Sequence, residues 1–550
     1  MASLMELVER VNKGELIDAE HLEVYEESPN SAEKFLAHHA HAMLDLRQAQ
    51  HHMLQSLEAI EYSDQKVLNQ FLSVSSFVGV SDMRAPAVVK FGSCAIGRRE
   101  YTLGVEAMQN GVAFDLAHGG AYTSDRENCL FVATQYDRAA HSVGWRAPEG
   151  APASLDYNNK QTKIAYLVSA VADDEASARV MCSLARHIDQ KRFKFQVYST
   201  EAGVRREKQL FAHSAYAAAS SKRAPQTMEY LNRQKAPVWM APTEGDVIAA
   251  ARELANQLVR DRVDVVIFDT TQADPIAAML ASWEVARVKV NLCRRTPLYA
   301  PGINCVTYTD QVRFDNDKTF WQARGVDARY VLEGIDCDEA FASSAAPQRS
   351  AYGIPDNAVV LATAGSDLDR TMSEEFVETM VNILRAHPHA IYLAIGEGEL
   401  AWQKRKFESA GVGKRVGYAG KRKDMPAFLR LADLYLAEFP AAGATGVLQA
   451  MAVERPVVAL KWGDDVDQSA AATFVGSECT ITARDPNAYI ERVSKMIREP
   501  AYRAKLGKTM RQRVEQYFGF NQTARNLEQL CDQLIQQRTE SVAEGTRVAA

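Results

Sequence analysis

The sequence predicts an α/β protein in which two doubly wound parallel-sheet domains follow an all-α domain. From Lys163 onward, short apolar runs such as Ile164-Ala-Tyr-Leu-Val168 alternate with amphipathic stretches, as expected of strands covered by helices on both faces. The alternation starts afresh at Tyr352-Gly-Ile-Pro-Asp-Asn-Ala-Val-Val-Leu361, which marks a second domain. Before about residue 155 the spacing is helical. The expected units are a helical domain at 1–155, sheet domains at 156–345 and 346–537, and a polar, disordered tail at 538–550.

With 550 residues, 47% apolar and 24% charged, the chain has the composition of soluble globular protein. A net charge of −7 gives no bulk attraction to nucleic acid or an anionic membrane. No apolar run approaches the ~20 residues that span a bilayer. The opening MASLMELVERVNKGEL lacks a signal-peptide core. Eight cysteines without CxxC or metal-like spacing read as free thiols in a reducing cytoplasm.

In the helical domain, Phe35, Leu36, Met43, Leu44, Met53, Leu54 and Leu57 predict one long helix from Ser31 to Ile60. Amphipathic segments at Gln65–Val78, Arg99–Leu116 and Asn128–Val143 predict stacked helical hairpins. A tetratricopeptide-like array would need a 34-residue repeat, and no clean one is present. His38, His39, His41, His51 and His52 fall on the long segment. Helical metal sites use i, i+3 and i, i+4 pairs, but no acidic or cysteine partner has matching spacing. The histidines therefore read as a solvated, partly packed face, and no metal site is expected.

Gly150–Asn159 reads as a linker. In the first sheet domain, strands are expected at Ile164–Val168, Phe193–Tyr198, Val238–Met240, Val263–Asp269, Val288–Leu292, Cys305–Tyr308 and Tyr330–Leu332. In the second, they are expected up to Leu361 and at Ile391–Ile395, Arg415–Tyr418, Leu434–Ala437 and Val457–Leu460. Between the last two lies Pro440-Ala441-Ala442-Gly443-Ala444-Thr445-Gly446, a small-residue turn that opens a helix. Free N–H groups and the positive dipole end gather there, so the place suits a phosphate. Thr445 adds a hydroxyl donor. The plainer reading of Gly443 and Gly446 is a tight turn.

This stretch, AD-x-x-L followed by G-x-T-G-x-L-x-A-M-A-x-x-x-P-V-V, resembles the donor-binding half of GT-B glycosyltransferases. O-GlcNAc transferases and bacterial cytoplasmic protein N-glucosyltransferases are the nearest in pattern. The resemblance implies two Rossmann-like domains across a cleft and a nucleotide-sugar site on the second. That site would comprise Ser366 and Arg370 after the first strand, and the base-reading turn Gly420, Lys421 and Arg422. It would continue through Gly443, Ala444, Thr445 and Gly446, with Gln449 at the ribose and Asp467 and Gln468 at the sugar or phosphates. Many retaining members carry two glutamates eight residues apart where this chain has Ala441 and Gln449, which argues against an ordinary retaining enzyme. A guanidinium at Arg370 suits phosphate oxygens because its donors form a planar fork; a solvated residue near a helix start is the alternative.

On the acceptor side, Asp173 and Asp174 follow the first strand, as catalytic candidates or as helix caps. Arg294 and Arg295 follow the Val288–Leu292 strand toward the cleft. The expected protein is a cytoplasmic glycosyltransferase that moves a sugar from a nucleotide sugar, UDP-linked in the first instance, to an acceptor. A protein acceptor handled by the helical domain is the first expectation, without cofactor or metal. A sugar-nucleotide epimerase or hydrolase and a catalytically degenerate binding module are the alternatives.

Overall fold

The computed structural model describes residues 4–549 apart from breaks, the longest at 57–67, 70–83, 150–154, 212–223 and 338–346. The expected Gln65–Val78 helix and the Gly150–Asn159 linker lie mostly outside the described residues.

The first sheet contains β1 (Thr162–Val168), β2 (Phe193–Ser199), β3 (Val238–Met240), β4 (Val265–Asp269), β5 (Val288–Cys293), β6 (Cys305–Tyr308) and β7 (Asp327–Tyr330). They lie in the order β3-β2-β1-β4-β5-β6-β7, every neighbouring pair parallel. Successive side chains on a strand point to opposite faces, and here both faces are cores. Ala165, Leu167, Val266 and Phe268 enter one; Ile164, Tyr166, Val265 and Ile267 enter the other. β7 starts three residues before the expected Tyr330–Leu332, because this edge strand is partly exposed and lacks a buried apolar run.

The second sheet contains β8 (Val359–Gly365), β9 (Ala390–Gly396), β10 (Val416–Gly420), β11 (Leu434–Leu436), β12 (Val457–Leu460) and β13 (Thr480–Ile481). Their order is β10-β9-β8-β11-β12-β13, again parallel. The chain leaves β8 toward β9 and β10, then returns to place β11, β12 and β13 on the other side. β8 and β11 therefore flank the point where strand order reverses.

Two expected boundaries move. Helices Tyr101–Ala117 and Arg126–Val143 share a core with the first sheet, where Val105, Met108, Val132 and Tyr136 join Leu167 and Phe268. They form a layer on that sheet rather than part of a free-standing domain. The last helix, Phe520–Ala549, crosses back to the first sheet, whose core takes in Phe520, Leu527, Leu530 and Leu534. Gly334 N–H donates to Thr523 Oγ1 at 2.9 Å and fixes the crossing. The 538–550 segment, expected as a disordered tail, continues this helix to Ala549.

The expected long helix is also interrupted. Ser31–Leu44 ends as a helix at Leu44, and helical backbone resumes by 51–52. His38, His39, His41 and His52 are buried rather than solvated. Among the described residues no helix is long and apolar enough to cross a membrane, and no disulfide joins the cysteines.

Candidate functional site

In doubly wound sheets, ligands bind beyond the carboxyl ends of the strands, where strand order reverses. In the second sheet this is the gap between β8 and β11. The helix Ala444–Ala452 starts there, with Gly443 as its N-cap (φ −71°, ψ 112°) and no side chain capping it. Gly443 offers its first N–H groups no side-chain acceptor, and they carry the positive dipole end. Thr445 is exposed beside them, Gly446 and Gln449 half-buried. A Cβ on Gly446 would lie 2.6 Å from both Ala364 O and Tyr435 Oη, whereas one on Gly443 meets nothing closer than 3.9 Å. Gly446 therefore lets the helix rest on the end of β8; its smallness serves packing. Tyr435 Oη, from β11, completes that seat by donating to Ala364 O at 3.0 Å.

The loops after β8, β9 and β10 are knitted into one rim. Asp369 accepts the N–H groups of Glu399 and Leu400, each at 2.8 Å. Arg370 is exposed on the short turn after β8, with Nε 3.0 Å from Asp367 Oδ2. Lys421 Nζ lies 2.6 Å from Glu397 Oε1, across the ends of β9 and β10. Gly420 turns there with φ +66°, and the Arg422 guanidinium sits 4.5 Å above the Phe428 ring. The predicted residues Arg370, Gly420 and Lys421 thus share the carboxyl edge with the Gly443–Gly446 turn. Ser366 and the side chains of Ala444, Asp467 and Gln468 lie outside the described residues.

Glu438 belongs to this edge and was not anticipated. It follows β11, is 2% exposed, and accepts a hydrogen bond from Thr371 Oγ1 at 3.2 Å. Burial pushes its carboxyl up to about 8, so it holds its proton at neutral pH. In the sequence it looks like the charged end of a strand.

On the first sheet, Asp173 Oδ1 accepts the Thr227 N–H at 2.9 Å. It thereby caps the helix Pro225–Arg233 from a distance. Asp174 and Arg295 lie outside the described residues. Arg294 is held between Asp269 Oδ1 and Glu333 Oε2, each 3.4 Å away. Tyr166 Oη donates to the other Asp269 oxygen at 2.7 Å. Burial pushes the Asp269 and Glu333 carboxyls up, against the pull of the guanidinium. This network joins the ends of β1, β4 and β5 to the segment that follows β7.

Two doubly wound parallel sheets joined by a returning C-terminal helix define the GT-B glycosyltransferase fold. Residues 359–499 match the family model described as Glycosyl transferases group 1, a span that holds the whole β8–β12 edge. A mutant O-GlcNAc transferase of Thermobaculum terrenum superposes with TM-score 0.50 at 14% identity, over 98% of this chain and 100% of that one. A glycosyltransferase of Rickettsia africae gives 0.48 at 13%, over 69% and 99% of the two chains. Anabaena HepE, solved with UDP and glucose, gives 0.46 at 14%, over 68% and 100%. No curated protein matches the chain in sequence.

Proposed function

We propose that the chain transfers a sugar from a nucleotide-activated donor, UDP-linked, to an acceptor, with a protein side chain as the first acceptor to test. The observation that carries this reading is the Gly443-capped N-terminus of Ala444–Ala452 at the β8/β11 reversal. A diphosphate set against these N–H groups is stabilised as it leaves. Arg370, 70% exposed, can turn from Asp367 toward phosphate oxygens. The turn at Gly420 offers backbone groups to the base, and Gln449 faces a ribose hydroxyl. Arg294 and Asp173, at the carboxyl edge of the first sheet, stand on the acceptor side. Donor binding proceeds without a divalent metal.

The test is incubation with a panel of radiolabelled nucleotide sugars and cell lysate. Transfer of label from a UDP-sugar to protein is expected. Release of UDP with free sugar only would make the chain a hydrolase, and binding without turnover would make it a scaffold.

A further inference from the structure

Away from the sheet edges, the N-terminal helices bury a cluster that the glycosyltransferase reading does not use. Glu26 closes the helix Glu20–Glu26; His38 and His41 lie one turn apart on Ser31–Leu44; His52 comes from the helical turn after the break. Donor atoms of Glu26, His38 and His52 all lie within 4.8 Å of one another. His38 Nδ1 is 3.3 Å from Glu26 Oε1, and His52 Nδ1 is 3.5 Å from it. Four ligands at ~2.0–2.1 Å around a zinc-sized ion are separated by ~3.3–3.4 Å, so these spacings are close to the edges of a tetrahedron.

Both ring nitrogens of His38 and both of His52 lack a hydrogen-bond partner, though each residue is only 5% exposed. Buried polar atoms are normally paired, and one orphaned nitrogen from each ring, beside the Glu26 carboxylate, can share a single partner. His39, by contrast, is engaged with Phe35 O and Ser56 Oγ.

We propose that Glu26, His38 and His52 form a site for a divalent transition metal of the zinc class, a clip between the first helices of the chain. His41 is a positioning residue. Its Nδ1 stands 2.7 Å from Glu26 Oε1, and its ring stacks on His52 with centroids 3.8 Å apart. Hydrogen bonds to a ligating carboxylate orient it toward the metal. The site is separate from the donor edge, so UDP binding does not depend on its metal.

The test uses the full chain, stripped with chelator and titrated with Zn²⁺ by calorimetry and with Co²⁺ by visible absorption. One equivalent should bind, with the intense ligand-field bands of tetrahedral Co²⁺, and Zn²⁺ should raise the melting temperature. His38→Ala and His52→Ala should each weaken Zn²⁺ by more than the roughly 10–100-fold that loss of an outer partner costs, which is the effect expected of His41→Ala. His51→Ala, at an exposed neighbour, should leave affinity unchanged. Glu26→Gln keeps the side-chain volume, and should lose Zn²⁺ affinity and the Zn²⁺-induced thermal shift even if the histidine variants fold poorly. Absence of a stoichiometric site, or affinity that survives Glu26→Gln, overturns the proposal.

Discussion

Gly446 and Glu438 show how two residues at one sheet edge carry different loads. A methyl on Gly446 would press on a backbone carbonyl and the Tyr435 hydroxyl, each at 2.6 Å, neither of which can retreat without moving β8 or β11. Gly446→Ala should cost ~1–3 kcal/mol, while Gly443→Ala should cost less than ~1 kcal/mol; chemical denaturation of both variants checks this. Glu438 has a folded-state pKa of about 8, raised by burial from an ordinary value of 4.5. The folded chain therefore keeps a proton that the unfolded chain loses. This contribution to stability is fully present below about 4.5 and is lost as pH rises to about 8, at up to ~1.4 kcal/mol per pH unit. Glu438→Gln should flatten that slope, its melting temperature gaining on the wild type from pH 5 to pH 9. Parallel melting curves across that range would contradict it. The glycine-threonine turn was legible in the sequence because turn chemistry is local. Glu438 was not: its burial depends on Thr371 and on strands 70 residues away.

At the scale of elements, buried runs were easy to read and edges were not. β1, β4, β5 and β12 carry buried runs, apolar apart from the buried Lys289 and Asn291 of β5, the opening Thr162 and Lys163 of β1 and the closing Asp269 of β4, and each lies within two residues of its expectation. β13 is two residues long, too short to leave a pattern, and the exposed β7 shifted by three. Only the end of the final helix was misread, since the polar composition of 538–549 suggested disorder where the helix continues. Truncation after Gly519 should unfold the first sheet domain. Phe520, Leu527, Leu530 and Leu534 leave its core, each worth about 1.5–3 kcal/mol, against a net domain stability of only ~5–15 kcal/mol. A stop after Arg538 keeps all four and should leave the melting temperature nearly unchanged. Calorimetry of the two truncations distinguishes these outcomes. The histidine cluster escaped sequence reading for a related reason. Glu26 and His52 flank Ser31–Leu44 from other segments, so no helical spacing links them to His38.

For the whole molecule, the two reversals of strand order set the chemistry. Each sheet gathers its candidate site residues at its carboxyl edge, and the returning helix couples the sheets. On the first sheet that edge is a closed ion network around Arg294. On the second it is a helix N-terminus capped by Gly443 with exposed cations at Arg370 and Lys421, the edge proposed above to take the donor. Arg370→Ala should weaken UDP by about 1.5–3 kcal/mol, the loss of one charge-assisted contact, and leave uridine binding nearly intact. The most direct measurement is thermal unfolding of the full chain with UDP, with and without EDTA. At a hundredfold excess over Kd, UDP should stabilise the fold by about 2.7 kcal/mol, equally in both conditions, and Arg370→Ala should reduce the shift at a fixed UDP concentration. A melting temperature that moves for neither UDP nor GDP would contradict a nucleotide-sugar site at this edge.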